Sequence, residues 1–191
     1  MHDVLPRSSI YGPGERWVLW VQGCTLGCKG CWNVETWSRR TGTLRTVASL
    51  VSELEAAVSA GDLEGISLLG GEPLQQAEPV LELINAAREM GLSVLLYTGY
   101  EPEEYDPTMQ ACHDGSDLVI GGRYVEALRD PFLRWRGSSN QRLVSPTGRY
   151  DVDAFEDLQE VEVLIDHDTG QMTVTGYPDA DLLHLVQSFQ G

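Results

Sequence analysis

Apolar positions along this chain follow two different periods. Four short runs are almost continuously apolar: Trp17–Val21, Ile66–Leu69, Leu92–Tyr97 and Leu118–Ile120. Their length and their β-branched and aromatic content predict buried strands. Between them the apolar residues fall three and four apart. Val47, Leu50, Val51, Leu54 and Val58 form one such stripe, and Val80, Leu81, Ile84, Ala87 and Met90 form another. Each predicts an amphipathic helix, stopped by Gly61 and Gly91 respectively. Pro102 to Cys112 predicts a further short helix. Residues 1–15 read as an irregular lead-in, with a turn at Tyr11-Gly12-Pro13-Gly14.

Strand and helix therefore alternate, which argues for an α/β fold with a parallel sheet. With 191 residues, the chain is shorter than the ~250 of a full eight-unit barrel. An open, partial barrel is the expected outcome. The tail changes period. Val161–Ile165 and Gln171–Thr175 flank Asp168-Thr169-Gly170 and predict a β-hairpin, and Asp179 to Phe189 predicts a helix. The expected organisation is a core over 1–143 and a C-terminal extension over 144–191. The extension would cover a sheet edge or shape a substrate or partner surface, the first being the simpler expectation.

In parallel sheets, ligands bind beyond the C-terminal ends of the strands. Four loops should lie there: residues 23–33, Gly70–Pro73, Thr98–Tyr100 and Gly121–Gly122. The first of them carries unusual chemistry. Gly23-Cys24-Thr25-Leu26-Gly27-Cys28-Lys29-Gly30-Cys31-Trp32-Asn33 holds three of the chain's four cysteines. A disulfide framework would spread an even set over a small secreted chain. A structural zinc site would use four ligands, and only Cys112 with His113 offers a distant second pair. Three thiolates match a 4Fe-4S cluster with one iron left open to a small molecule.

Composition limits the partners. The chain carries 29 acidic and 13 basic residues, a net charge of −16. Such a surface repels phosphate backbones, so no nucleic-acid partner is expected. It would favour a basic partner surface or a basic peptide electrostatically, or only serve solubility, which is the simpler expectation. A hydrophobic fraction of 42% suffices for a core. No apolar run approaches the ~18 residues of a membrane span, and the start lacks a secretion signal. A cytoplasmic protein with reduced thiols is expected.

The Cys-x3-Cys-x2-Cys spacing resembles the cluster motif of the radical S-adenosylmethionine enzymes. Most of that family place an aromatic residue before the last cysteine. Here Gly30 precedes Cys31, and Trp32 and Asn33 follow it. That variant resembles the activating proteins of anaerobic ribonucleotide reductase. Gly70-Gly71-Glu72-Pro73 resembles the turn that holds the methionyl ammonium. Asp130-Pro131, with Trp135-Arg136-Gly137-Ser138-Ser139-Asn140-Gln141-Arg142, resembles the activating proteins' C-terminal signature. The resemblance spans about Arg16 to Leu143.

It implies a partial TIM-like β/α barrel with the hairpin and helix appended. It implies that Cys24, Cys28 and Cys31 hold a 4Fe-4S cluster whose open iron binds S-adenosylmethionine. Trp32, Asn33, Gly70, Gly71, Glu72, Pro73, Thr98, Ser138, Ser139 and Asn140 become candidates for contact with that cofactor. Glu72 would accept from the ammonium, or else cap the following helix. An external flavodoxin- or ferredoxin-like reductant would supply one electron, and the resulting 5′-deoxyadenosyl radical would remove a hydrogen atom from the substrate. The substrate implied is a glycyl radical enzyme. A small molecule or a peptide is the alternative, and a non-enzymatic zinc or iron–sulfur module the third reading.

Overall fold

A computed structural model of the chain describes residues 1–158, 160–165, 169–170 and 172–176. Its centre is a six-stranded sheet: β1 (Asp3–Ser8), β2 (Arg16–Val21), β3 (Gly65–Gly70), β4 (Ser93–Thr98), β5 (Leu118–Gly121) and β6 (Arg142–Val144), in that spatial order. β2 to β5 run parallel, and the two edge strands run antiparallel to their neighbours. Three helices make the crossovers: α1 (Val47–Ser59), α2 (Ala77–Glu89) and α3 (Pro107–Asp114).

Both faces of the inner strands are buried, which is why their sequences read as runs rather than alternations. Trp17, Leu19 and Val21 turn to the helices and join Leu54, Leu68, Leu83, Ile84 and Leu96 in the main core. Leu95, Leu118 and Ile120 belong to a second cluster with Tyr97, Leu143, Tyr150 and Phe155. Serines interrupt the runs for a reason. Arg16 is fully buried, and its Nε donates to Ser67 Oγ at 2.7 Å while Nη1 donates to Ser93 Oγ at 2.9 Å.

The helix boundaries follow local chemistry. Thr46 Oγ1 accepts from Ser49 N at 3.1 Å and starts α1. Asp106 Oδ1 accepts from Thr108 N and Met109 N, each at 2.8 Å, and starts α3 one residue before Pro107. The helix expected over 102–112 is therefore split. A 3-10 turn, Pro102–Glu104, precedes α3, because Tyr105 and Asp106 adopt extended backbone.

The lead-in expected to be irregular contains β1. It is an edge strand that carries Pro6 and shifts register between Leu5 and Ser8. Both features suit an edge and blur the period by which a strand is recognised. β6 is only three residues long.

The hairpin pairs as expected, β7 (Val161–Ile165) with β8 (Met172–Gly176), antiparallel, as a separate two-stranded sheet. It pairs with neither edge of the large sheet. It is fastened near β1 instead, where Gly176 N donates to Tyr11 Oη at 3.1 Å and Ser9 N to Glu162 Oε1 at 3.3 Å. The helix expected over 179–189 lies outside the described residues. Among the described residues no helix is long and apolar enough to cross a membrane.

Candidate functional site

The C-terminal ends of β2 to β5 open onto a cavity of about 480 Å³. Cys24, Cys28 and Cys31 all line it. They are free thiols of intermediate exposure. The loop that carries them turns through positive φ at Gly27 (63°) and Gly30 (73°), a conformation that costs glycine least. Its two stems are tied together: Gly23 N donates to Thr36 O at 2.7 Å and Cys24 N to Trp37 O at 3.1 Å. Gln22 Nε2 donates to Glu35 O at 2.9 Å and Ser38 O at 2.8 Å, closing the loop from below.

The turn after β3 abuts this loop through backbone. Gly71 N donates to Val21 O and Glu72 N to Gly23 O, both at 2.9 Å. A Cβ on Gly71 would stand 2.4 Å from Gly23 O, and one on Gly70 (φ 109°) 2.6 Å from Val21 N. The two glycines therefore let β3 end against the residue that precedes Cys24. Gly71→Ala is expected to displace the cysteine loop and to cost about 2–4 kcal/mol, a severe single substitution. Denaturation of the apoprotein measures this, and a cost below ~1 kcal/mol would contradict the packing argument.

Glu72 is 1% exposed and both its oxygens are engaged. Oε1 accepts from Leu74 N at 2.9 Å and Thr98 Oγ1 at 2.9 Å, and Oε2 accepts from Gly99 N at 2.7 Å. The carboxyl thus ties the end of β3 to the end of β4 and caps the 3-10 turn Pro73–Gln76. Burial pushes its pKa up from 4.5 to about 7, against these three donors, which pull it down. A carboxyl with a raised folded-state pKa binds a proton on folding. Its ionisation therefore removes stability as pH rises from about 4.5 to about 7, by about 3 kcal/mol. Apoprotein unfolding free energies across that window should fall for the wild type and fall less for Glu72→Gln. Parallel curves for the two proteins would reject the assignment.

Burial also raises the Cys24 and Cys28 thiols above their ordinary pKa, and neighbouring cysteine charge adds to the effect at both. Thiols such as Cys24 and Cys28 that resist ionisation need a cationic centre to become thiolates, and iron would supply one. Among the described residues no three His, Cys, Asp or Glu side chains close round one point as the ligands of a single ion do. A cluster takes one thiolate per iron, so its cysteines need only share a wall, and these share one. The donor set fits a three-cysteine cluster site.

The remaining candidates divide. Trp32, Asn33, Gly70, Gly71, Glu72 and Thr98 line the cavity. Pro73 is buried behind it, at the start of the 3-10 turn. Ser138 Oγ accepts from Val125 N at 3.1 Å, and Ser139 N donates to Leu128 O at 2.9 Å. Asn140 Nδ2 donates to Arg123 O at 2.8 Å. These three hold their loop together. The residues of the loop that reach the cavity are Pro131, Leu133, Trp135, Arg136, Gly137 and Gln141. Cys112 is fully buried in the helix-side core, its Sγ donating to Ala77 O at 3.3 Å.

Sequence reasoning missed the aromatic part of the wall: Tyr11, Trp20, Tyr97 and Tyr124. Tyr97 and Trp20 sit in runs whose apolar character gives no sign of which face meets a ligand. Trp135 belongs to the signature motif, which gives no sign of its place on the wall. It stands at φ 58°, with its indole ring 4.9 Å from Phe155 and its Nε1 buried without a hydrogen-bond partner.

A family model described as "4Fe-4S single cluster domain" matches residues 10–144. The anaerobic ribonucleoside-triphosphate reductase-activating protein of Vibrio cholerae is 36% identical over 151 residues, 73% of this chain and 94% of that protein. The Escherichia coli K12 protein of the same name is 35% identical over 147 residues, with the same coverage. That of Enterobacteria phage T4 is 38% identical over 148 residues, 75% of this chain and 92% of its own length. A match of this extent places the cysteine loop and the Gly-Gly-Glu-Pro turn inside one shared domain, and the chain belongs to the family of anaerobic ribonucleoside-triphosphate reductase-activating proteins.

Proposed function

We propose that this chain cleaves S-adenosylmethionine reductively at a 4Fe-4S cluster and installs a glycyl radical on an anaerobic ribonucleotide reductase. The observation that carries the reading is the shared cavity: Cys24, Cys28, Cys31 and the Gly70–Glu72 turn line one space at the strand ends. Its frame is the open sheet, which we take as a partial β/α barrel of the radical S-adenosylmethionine type.

A 4Fe-4S cluster held by Cys24, Cys28 and Cys31 would supply one-electron reduction of S-adenosylmethionine, with the electron drawn from an external donor; methionine would leave, and the 5′-deoxyadenosyl radical so released would take a hydrogen atom from the partner's glycine. The protein's part is to hold and to exclude. Cys24, Cys28 and Cys31 are the thiolate ligands. Gly70 and Gly71 bring backbone to the cavity wall, and Glu72 keeps the ends of β3 and β4 in register with each other. Arg123 forks onto Glu104, with Nη1 and Nη2 each donating at 2.7 Å, and lies 5.6 Å from the centroid of Tyr100. It places a guanidinium beside Cys28, whose thiolate that charge favours. Trp20, Tyr97 and Trp135 add aromatic surface to the cavity wall, which would restrict water around a reactive radical.

The test is anaerobic. The chain is reconstituted with iron and sulfide, given dithionite and S-adenosylmethionine, and mixed with the anaerobic reductase. The expected result is a glycyl radical signal on the reductase by electron paramagnetic resonance, with 5′-deoxyadenosine formed alongside it. A loaded cluster that gives 5′-deoxyadenosine but no signal on the reductase would reject the partner. A loaded cluster that gives neither in its presence would reject the function.

A further inference from the structure

Charge is unevenly spread along this chain. The first 52 residues hold six of its 13 basic residues and only three of its 29 acidic ones, leaving 26 acidic against seven basic residues for the rest. The cysteine loop lies in that first stretch. Just after it, from Thr36 to Ser52, come Arg39, Arg40 and Arg45 with no acidic residue. Arg45 is paired with Glu53 at 2.8 Å. Arg39 and Arg40 are exposed, and among the described residues neither forms an ion pair. Arg39 reaches only the amide oxygen of Gln75, at 3.5 Å.

The two arginines stand beside the cluster site. Cys24 N donates to Trp37 O at 3.1 Å, and a Cβ on Gly23 would stand 2.8 Å from Cγ of Arg39. The stem of Arg39 therefore packs on the residue that precedes a cluster ligand. The segment is held firmly. Gln22 Nε2 donates to Thr41 Oγ1 at 2.9 Å as well as to Ser38 O, and Thr43 N donates to Met1 O at 2.8 Å. A backbone fixed in advance loses little freedom when its side chains are bound. Val34 and Leu44, 54% and 98% exposed, flank the arginines in sequence and add apolar surface. Arginine with apolar side chains, and no Asp or Glu, is a composition that protein interfaces favour. No residue from Thr36 to Arg45 lines the cavity, so this face is separate from the wall that meets the substrate.

We propose that Arg39 and Arg40 form the docking surface for a small acidic protein that delivers one electron to the cluster; this rests on the functional reading above, which requires an external donor. Charge complementarity selects that occupant. The remainder of the chain is strongly acidic and repels such a carrier, so the field steers it to this face. A basic partner would be drawn to the rest of the surface instead. Electron transfer weakens steeply with distance, and this segment's backbone is bonded directly to that of Cys24. The carrier is oxidised by one electron and the cluster reduced by one; no bond forms or breaks.

The test compares two reductants on the reconstituted full chain in the presence of the reductase. Dithionite is small and needs no docking surface, whereas a reduced acidic flavodoxin does. Arg39→Glu/Arg40→Glu should raise the KM for flavodoxin in 5′-deoxyadenosine formation by about tenfold or more and leave the dithionite-driven rate within about twofold. Arg39 packs on Gly23, so Arg40→Glu alone is the variant that spares the loop's packing; it should raise the same KM about three- to fivefold. Anisotropy of fluorescein-labelled flavodoxin reads binding apart from turnover. Wild-type affinity should fall about tenfold as salt rises from ~50 to ~300 mM, and that of the double variant should hardly change. Unaltered flavodoxin affinity in both variants overturns the proposal, as does a wild-type affinity that ignores salt, or no binding at about 0.1 mM flavodoxin, far above a usable protein–protein Kd. Weakened reductase binding with flavodoxin binding intact also overturns it and assigns the face to the reductase. A chain with a loaded cluster that never cleaves S-adenosylmethionine with dithionite fails the functional reading, and the flavodoxin titration still decides this one.

Discussion

Replacing Cys28 with alanine is expected to reduce 5′-deoxyadenosine formation to background and to strip the chain of most of its iron. Cys28 lies between Cys24 and Cys31 on the cavity wall, where Cys31 N donates to Cys28 O at 3.1 Å. That turn brings the second and third cysteines to the same side. Two thiolates cannot hold three of a cluster's irons, and no other cysteine is at hand. Cys112, the fourth, sits in the helix-side core with its thiol pushed up to about 11 by burial. Cys112→Ala is the matched control. It should keep the full iron content, because a buried thiol of that kind acts as a small apolar side chain. Iron and sulfide analysis with product chromatography decides the matter. Full iron and full product from Cys28→Ala would remove the three-cysteine assignment, and loss of iron from Cys112→Ala would point to a fourth ligand.

Replacing Arg16 with alanine is expected to cause the largest loss of stability of any substitution outside the cysteine loop. The side chain is completely buried. Each of its five donors has an acceptor: Ser67 Oγ, Pro13 O, Ser93 Oγ, Ile66 O and Ser93 O. None of these is a carboxylate. Burial of the charge lowers the guanidinium pKa, while Tyr150 and Glu64 nearby oppose that shift. The network continues outward. Ser67 Oγ donates to Tyr11 O at 2.6 Å, and Ser93 Oγ donates to Glu64 O at 2.9 Å. Arg16 therefore joins β2, β3 and β4 to the segment that carries Tyr11 and, through Tyr11, to the hairpin. Alanine would leave buried acceptors unpaired at about 1–3 kcal/mol each and a void the size of the lost side chain. The total should be about 3–5 kcal/mol. Arg16→Lys should fall between, since an ammonium has three donors in place of five and no planar fork. Chemical denaturation measures all three proteins. A cost for Arg16→Ala below ~1 kcal/mol would show that the network contributes little.

The sheet's inner strands, its helices and the cysteine loop were legible because each is written in neighbouring residues. Apolar runs mark β2 to β5, three- and four-residue spacing marks α1 and α2, and the cysteines announce themselves by crowding. The edges were harder to read. β1 carries a proline and a register shift, and β6 has too few residues to show a period. The expected single helix over 102–112 broke at Tyr105-Asp106, where the side chain of Asp106 competes for the backbone. For Ser138 to Asn140, a short motif carried the identity of the loop but not its orientation. Their hydrogen bonds run to the backbone of Val125, Leu128 and Arg123. Their neighbours Arg136, Gly137 and Gln141 reach the cavity.

The sequence by itself determined the alternating α/β order, the three-cysteine loop and the turn that faces it, because short-range spacing and residue chemistry encode all three. Only the tertiary structure decided what Glu72 binds, why Arg16 can be buried and where the extension lies. Glu72 meets Thr98 and Gly99 from another strand. Arg16 finds its acceptors on two neighbouring strands. β8 reaches Tyr11 from the far end of the chain. Contacts between distant segments depend on how strands stack in space, and no local period records that.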